Sequence, residues 1–208
     1  PLIDGDRLIC LPGGPKGTVA ALDRRTGRLL WRSAELTDQA AYTSPMTAEI
    51  GGVRQIVVLT NAGVSAVDAG NGRLLWRSKR ESPYGTEVIN TPLIHGSMIY
   101  TTVAVNNGGC ELLRISKEGA AFKADVVYAG KNLSNHHGNV IRVGEHVYGY
   151  GQARGWICQS FADGKNVWEE KAALGAGSLA YADGRLYAYA ENDGSTALLE
   201  ASPAGWRQ

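Results

Sequence analysis

Short apolar segments that run into a Gly-centred turn and out again into a stretch rich in Ile, Val and Tyr recur five times along the chain. They fall at residues 1–9, 45–58, 92–100, 140–148 and 180–187. Each reads as a β-hairpin, because Gly, Asp and Asn supply the backbone angles a tight turn needs while the flanking residues suit a pleated, half-buried surface. A second element alternates with the first. Gly-Arg-Leu-Leu-Trp-Arg-Ser occurs at residues 27–33 and again at 72–78, an offset of 45, each time preceded by a strand-like segment, 19–23 or 64–68. A weaker copy over 161–168 keeps the Gly-x-x-x-Trp spacing, and Ser116 to Phe122 and Ser202 to Trp206 place an aromatic shortly after a Gly, with Phe122 standing in for Trp.

A fixed period of this size means a repeat architecture. Each unit carries four short strands: two from the hairpin, a third ending in Asp or its replacement, and a fourth carrying the aromatic. The expected fold is therefore all-β, a β-propeller of four-stranded antiparallel blades. About five units fit the chain, at roughly residues 1–40, 41–88, 89–135, 136–175 and 176–208. A four-stranded sheet of this size cannot bury its faces alone, so neighbouring sheets must stack, and a large aromatic fills the wedge between them. That assigns Trp31, Trp76, Trp168 and Trp206 to structure. Asp23 and Asp68 precede the turn into the fourth strand, where a short carboxylate can accept backbone N–H groups while Gly27 or Gly72 adopts a positive φ.

Composition narrows the function classes. Hydrophobic residues make up 44% of the chain and charged ones 20%, within the range of ordinary globular domains. Twenty-one Lys and Arg against twenty Asp and Glu leave a formal charge of +1, and no basic, aromatic-interleaved stretch favours nucleic acid. No apolar run approaches 18 residues, so no membrane span is expected, and no signal peptide is visible ahead of Pro1, as in a mature or trimmed segment. The three cysteines, Cys10, Cys110 and Cys158, form no CxxC or CxxCH and are expected to be free, largely buried thiols. No metal site, Walker loop, dinucleotide fingerprint or Gly-x-Ser-x-Gly elbow is present.

The run Ala21-Leu-Asp-Arg-Arg-Thr-Gly-Arg-Leu-Leu-Trp31 resembles the Ala-x-Asp-x-x-Thr-Gly-x-x-x-Trp tryptophan-docking motif of the pyrroloquinoline-quinone-like (PQQ-like) repeat family, and residues 66–76 match it with Asn71 in place of Thr. Residues 135–138, 140–150, 155–158 and the stretch from Gly177 resemble the C-terminal half of PQQ-binding-like and polyvinyl-alcohol dehydrogenase-like repeat proteins of planctomycete-type bacteria. The resemblance implies an extracytoplasmic, periplasmic location and a ring of seven or eight blades, of which five units would be an incomplete part. The family includes both quinoprotein alcohol dehydrogenases and the scaffold propellers of the bacterial outer-membrane assembly machinery, so fold alone does not choose.

A dehydrogenase of this family needs PQQ, a Ca²⁺ ion beside the quinone, an aspartate base and often adjacent cysteines. The chain has no Cys-Cys pair, and Asp4, Asp6, Glu49, Glu145 and Asp183 all fall in expected exposed turns. The leading expectation is therefore a non-enzymatic binding or scaffold module without cofactor, for a protein, peptide or carbohydrate partner, with further blades or self-association closing the ring. The alternative is a fragment or divergent member of the quinoprotein dehydrogenases, binding PQQ with Ca²⁺.

In a propeller the first strand of each blade lines the central channel, so the loops leading into it are the natural ligand face. Those loops supply Thr43 and Ser44, Asn90 and Thr91, and Asn135, His136 and His137 as candidate ligand residues. One imidazole of the histidine pair could ligate a metal, for which Asn90, Thr91, Thr43 and Ser44 are poor further ligands, shuttle a proton or bind a polar ligand, or one ring could cap loop carbonyls while the other packs between blades. Tyr148, Tyr150, Arg154 and Trp156 are candidates for an aromatic shelf, or equally for packing between blades.

Overall fold

The computed structural model describes residues 1–79, 87–104 and 108–208; residues 80–86 and 105–107, within the second and third repeat units, lie outside it. Among the described residues there are nineteen strands and no helix, arranged in five sheets. The first sheet is β1 (Leu2–Asp4), β2 (Arg7–Cys10), β3 (Ala20–Asp23) and β4 (Leu29–Arg32), in that order. The second is β5 (Met46–Ile50), β6 (Val53–Thr60), β7 (Gly63–Asp68) and β8 (Leu74–Lys79). The third holds β9 (Leu93–His95), β10 (Met98–Val103), β11 (Gly109–Glu118) and β12 (Ala121–Gly130). The fourth runs β13 (Val140–Val143), β14 (His146–Gly151), β15 (Gly155–Ser160) and β16 (Asn166–Glu170). The fifth has three strands, β17 (Gly177–Ala182), β18 (Arg185–Ala190) and β19 (Thr196–Glu200). Sequence neighbours pair throughout, as a meander of hairpins requires. These are blades of the β-propeller class. The chain forms two compact units, residues 1–100 with 113–126 and residues 101–112 with 127–208.

In the first unit, cross-strand pairing gives each sheet two unlike faces. The row Leu2–Ile9–Ala21–Trp31 lies on one face of the first sheet and Ile3–Leu8–Leu22–Leu29 on the other. The face with Trp31 packs on the second sheet, where Ile9, Ala21 and Trp31 join Ile56, Val58, Val67, Ala69 and Leu74 in one cluster. Trp31 lies so close to the next sheet's turn that a methyl group on Gly72 would sit 2.5 Å from its ring. Gly72 has φ +76°, so the turn that receives the indole is also one that only Gly adopts without strain. Trp31 Nε1 is buried without a partner among the described residues, leaving apolar packing to hold the ring. Trp76, buried in turn, donates from Nε1 to Gln55 Oε1 at 2.7 Å.

The turn into the last strand is built as the sequence implies. Asp23 Oδ1 accepts the N–H groups of Arg25 and Thr26 at 3.0 and 2.8 Å and the Thr26 hydroxyl at 2.8 Å. Asp68 Oδ1 accepts Gly70 N–H at 2.7 Å. In the fourth sheet Ser160 occupies the place of these aspartates, since its N–H reaches Lys165 O at 2.8 Å as Asp23 N–H reaches Arg28 O. The carboxylate there comes from Asp163, which accepts Lys165 N–H at 3.2 Å.

Three sequence expectations need correction. Asp4 is buried, not exposed: its carboxylate is held by Arg54 of the second sheet, with Nε at 2.8 Å, so it ties two sheets together. Phe122 does not replace the tryptophan of the third sheet. It is half exposed under the Lys117 ammonium, while Tyr128, six positions further along β12, lies against Gly164 with its hydroxyl donating to Phe161 O at 3.1 Å. Trp206 is not on a fourth strand: Glu200 N–H bonds Arg207 O at 3.0 Å, and the indole sits on the intervening turn, 6.2 Å from Trp168.

The second unit's core joins Tyr148, Trp156 and Cys158 of the fourth sheet to Leu186, Ala188, Ala190, Ala197 and Leu199 of the fifth. Trp168 packs on this cluster and donates from Nε1 to Ser202 O at 3.0 Å. All three cysteines are free, Cys110 and Cys158 buried and Cys10 half-buried. Burial pushes the Cys158 thiol up to about 11, so it stays protonated and unreactive at neutral pH. Native protein is accordingly expected to show Cys10 reacting first with a thiol reagent and Cys110 and Cys158 only on unfolding. Fewer than three thiols in denatured, unreduced protein would contradict the free state.

The hydrogen bonds of Ser160 and Lys165 hold the Asp163 carboxyl down at about 2, from an ordinary 3.8. A depressed carboxyl stabilises the fold above its unfolded value and loses that contribution as pH falls toward 2. Urea midpoints of the wild type and Asp163→Asn are therefore expected to differ at pH 6 and to converge as the pH falls from about 4 to about 2. A constant difference across that window would remove the turn carboxylate from the acid limb.

Candidate functional site

Loops leading into the first strands are fixed by hydrogen bonds to the loops beside them. In the first unit, Tyr42 N–H donates to Val88 O at 2.9 Å, and Ser44 N–H to Thr91 Oγ1 at 3.3 Å. Thr43 is buried with its hydroxyl on Leu59 O at 2.7 Å, and Asn90 is buried as well. This unit therefore brings Thr43, Ser44, Asn90 and Thr91 together, with Thr43 and the Thr91 hydroxyl engaged in positioning backbone. Tyr42, beside them, is 73% exposed.

In the second unit Asn135 is buried; its amide nitrogen donates to Tyr150 O at 2.7 Å and its backbone N–H to Thr102 Oγ1 at 3.0 Å. That anchors the start of a loop whose tip carries the histidine pair, both half-buried, with ring centroids 5.0 Å apart. His137 Nε2 lies 3.1 Å from Glu191 Oε2. Glu191 is held in turn by its N–H on Ala176 O at 2.9 Å. Gly138 has φ +82° and packs on the Gly177 carbonyl, an approach that leaves no room for a side chain. The loop thus presents an imidazole–carboxylate pair on a backbone with little freedom.

Glu191 is the member of this site that the sequence did not reveal. It lies 54 residues from His137, and nothing in the local pattern around residues 191–194 distinguishes it from another turn acid. Asp38 was missed for the same reason. Its carboxylate receives Arg77 at 2.5 Å and the Thr60 hydroxyl at 2.9 Å, while its carbonyl accepts Gly14 N–H and the Thr18 hydroxyl, both at 2.8 Å.

For the aromatic cluster, burial agrees with the packing alternative. Tyr148 and Trp156 are each only 2% exposed, and the Trp156 indole donates to Leu174 O and Gly175 O at 3.0 and 3.1 Å. Tyr150 packs edge-on against Trp156 at 5.5 Å. Tyr148 and Trp156 fill the space between the fourth and fifth sheets, with Tyr150 half-buried against them. Arg154, the remaining member, pairs with Glu169 at 2.8 Å. Asn166 first, and Arg154 after it, hold the Glu169 carboxyl below its usual range. Among the described residues, no group of three His, Cys, Asp or Glu side chains converges as a metal site would require, and no helix is long and apolar enough to cross a membrane.

No curated protein matches the chain significantly. Solved structures do. BamB from Moraxella catarrhalis superposes with a TM-score of 0.67 at 15% identity, over 100% of this chain and 61% of that one. The β-propeller domain of Myceliophteria thermophila Cps50 (Swd1) gives 0.61 at 12%, over 98% and 66%. The computationally designed protein Ika4 gives 0.59 at 11%, over 85% and 100%. At these identities the likeness is one of fold, and the chain spans 61% of the length of the Moraxella protein. The model of the family described as outer membrane protein assembly factor BamB matches residues 1–170. The chain belongs to that family of PQQ-like β-propellers.

Proposed function

We propose that the chain is a non-enzymatic scaffold module whose loops leading into the first strands bind a polypeptide partner. The observation that carries this reading is the match of residues 1–170 to the family of outer membrane protein assembly factor BamB. The local chemistry supports it: Asn135, Thr43 and Thr91 are engaged in fixing loop backbone, an arrangement suited to presenting a rigid surface. His137 with Glu191, beside His136, offers donors and an acceptor of the kind that satisfies the backbone and polar side chains of a bound peptide. On this reading the partner is a segment of an outer-membrane polypeptide, the location is extracytoplasmic, and no cofactor takes part.

An array of ten-residue strand peptides from an outer-membrane β-barrel, titrated by fluorescence anisotropy, tests the proposal. A subset is expected to bind, and His136→Ala with His137→Ala is expected to weaken that binding by about tenfold, or about 1.4 kcal/mol, with the fold intact. Binding of PQQ with Ca²⁺ accompanied by dye-linked alcohol oxidation, or binding of oligosaccharides with no peptide bound, would overturn it.

A further inference from the structure

A pocket of about 540 Å³ opens in the wedge between the first and second sheets, at the turn end of their strands. Asp4, Asp6, Arg7, Asp23 and Leu30 of the first sheet line it, with Arg54 of the second. A smaller pocket of about 260 Å³, lined by Asp6, Asp23 and Arg25, shares two of these residues with it. The larger volume is that of a small-molecule site.

Asp4, Arg7 and Asp23 form one cross-strand row, continuing the face of the first sheet that packs on the second. Arg7 stands between two carboxylates in that row, yet pairs with neither. Asp4 is buried and turns to Arg54, whose Nε lies 2.8 Å away. Asp23 Oδ1 is taken by the Thr26 N–H and hydroxyl and by the Arg25 N–H, which together hold the carboxyl below its usual range. Asp6 pairs with Arg24 at 3.2 Å. All three lining carboxylates therefore have their donors. Half-buried Arg7 has no hydrogen bond from its guanidinium and no ion pair among the described residues, and the Arg25 and Arg28 guanidiniums have no ion pair either. Even with Glu49, which acts on Arg54 from the second sheet, four carboxylates face five guanidiniums here, those of Arg7, Arg24, Arg25, Arg28 and Arg54.

The cations are all arginine, whose planar fork matches the paired oxygens of a carboxylate or a phosphate. A guanidinium drawn partly out of water without an acceptor is costly, and oxygens supplied by a ligand remove that cost. Leu30, 38% exposed on the pocket wall, gives an apolar contact for the rest of such a molecule.

We propose that this pocket binds a small organic anion whose carboxylate or phosphate group pairs with the Arg7 guanidinium. The pocket lies at the opposite end of the strands from the loops assigned to the polypeptide partner, and its occupancy is independent of that reading.

Phenyl phosphate and benzoate, with benzyl alcohol as the neutral control, are the probes, and backbone amide shifts in isotope-labelled protein read their binding. Saturable shifts centred on residues 5–7 and 23–25 are expected with at least one of the two anions and not with the alcohol; the tighter of the two anions identifies the group as phosphate or carboxylate. Arg7→Gln is expected to weaken binding by at least about tenfold. Arg73→Gln, on the turn of the second sheet that corresponds to the one carrying Arg28, is expected to leave it unchanged. Circular dichroism checks the fold of each variant; Arg7→Lys, which keeps the charge and loses the fork, is expected to weaken binding likewise and gives the reading if Arg7→Gln unfolds. No saturable binding of either anion, binding that loss of the Arg7 fork leaves intact, or equal weakening by Arg73→Gln would overturn the proposal.

Discussion

Everything in this fold rests on a sheet with two unlike faces pressing its aromatic row onto the aliphatic row of its neighbour. A sheet of three or four short strands has too little interior to hold itself together in water. Stacking solves this by making each sheet the core of the next, and the alternation of side chains along a strand lets one sequence serve both faces at once. The contact of Trp31 with Gly72 shows how tightly the solution is drawn. The ring's close approach needs a residue without a side chain, and the same residue must turn the chain with a positive φ. Tyr128 on Gly164 repeats the arrangement with a different ring.

Because facing rows of neighbouring sheets are taken up in packing, the proposed recognition is assigned to the loops between the strands. The loops leading into the first strands are tied down by hydrogen bonds, backbone to backbone from Tyr42 to Val88 and from the Asn135 side-chain amide to the Tyr150 carbonyl. Their side chains divide accordingly: buried Thr43 and Asn135 fix backbone, while His136 and His137 are half-buried. His137 with Glu191 and His136 is the one place among these described loops where imidazole and carboxylate meet. A rigid frame displaying a few polar groups is what a scaffold requires.

The fold was legible because its determinants are local. Hairpins announce themselves through Gly-centred turns, the repeat is literal over residues 27–33 and 72–78, and Asp23 accepts N–H groups only two and three residues away. What escaped depends on contacts between distant segments. Phe122 has the right type and nearly the right spacing, but β11 and β12 extend ten residues each, and the ring that reaches Gly164 is Tyr128. Asp4 sits in a turn and looks exposed until Arg54, fifty residues on, covers its carboxylate. Tyr148 and Trp156 carry the composition of a binding shelf, and only the stacking of the fifth sheet shows that they are already occupied. Within the candidate site Asn135, His136 and His137 could be singled out as unusual, while Glu191 could not, because its role is conferred by a pairing that no sequence window contains.

A double-mutant cycle between Trp31 and Gly72 tests the central claim most directly. If sheet stacking is set by the ring against the bare turn, Gly72→Ala destabilises the wild type strongly, through clash as well as backbone strain, and much less once Trp31→Val has removed the ring. The predicted coupling, from urea unfolding of the four proteins, is about 1 kcal/mol or more in favour of the double variant. Strict additivity, with Gly72→Ala costing the same in both backgrounds, would mean that the contact does not hold the sheets together.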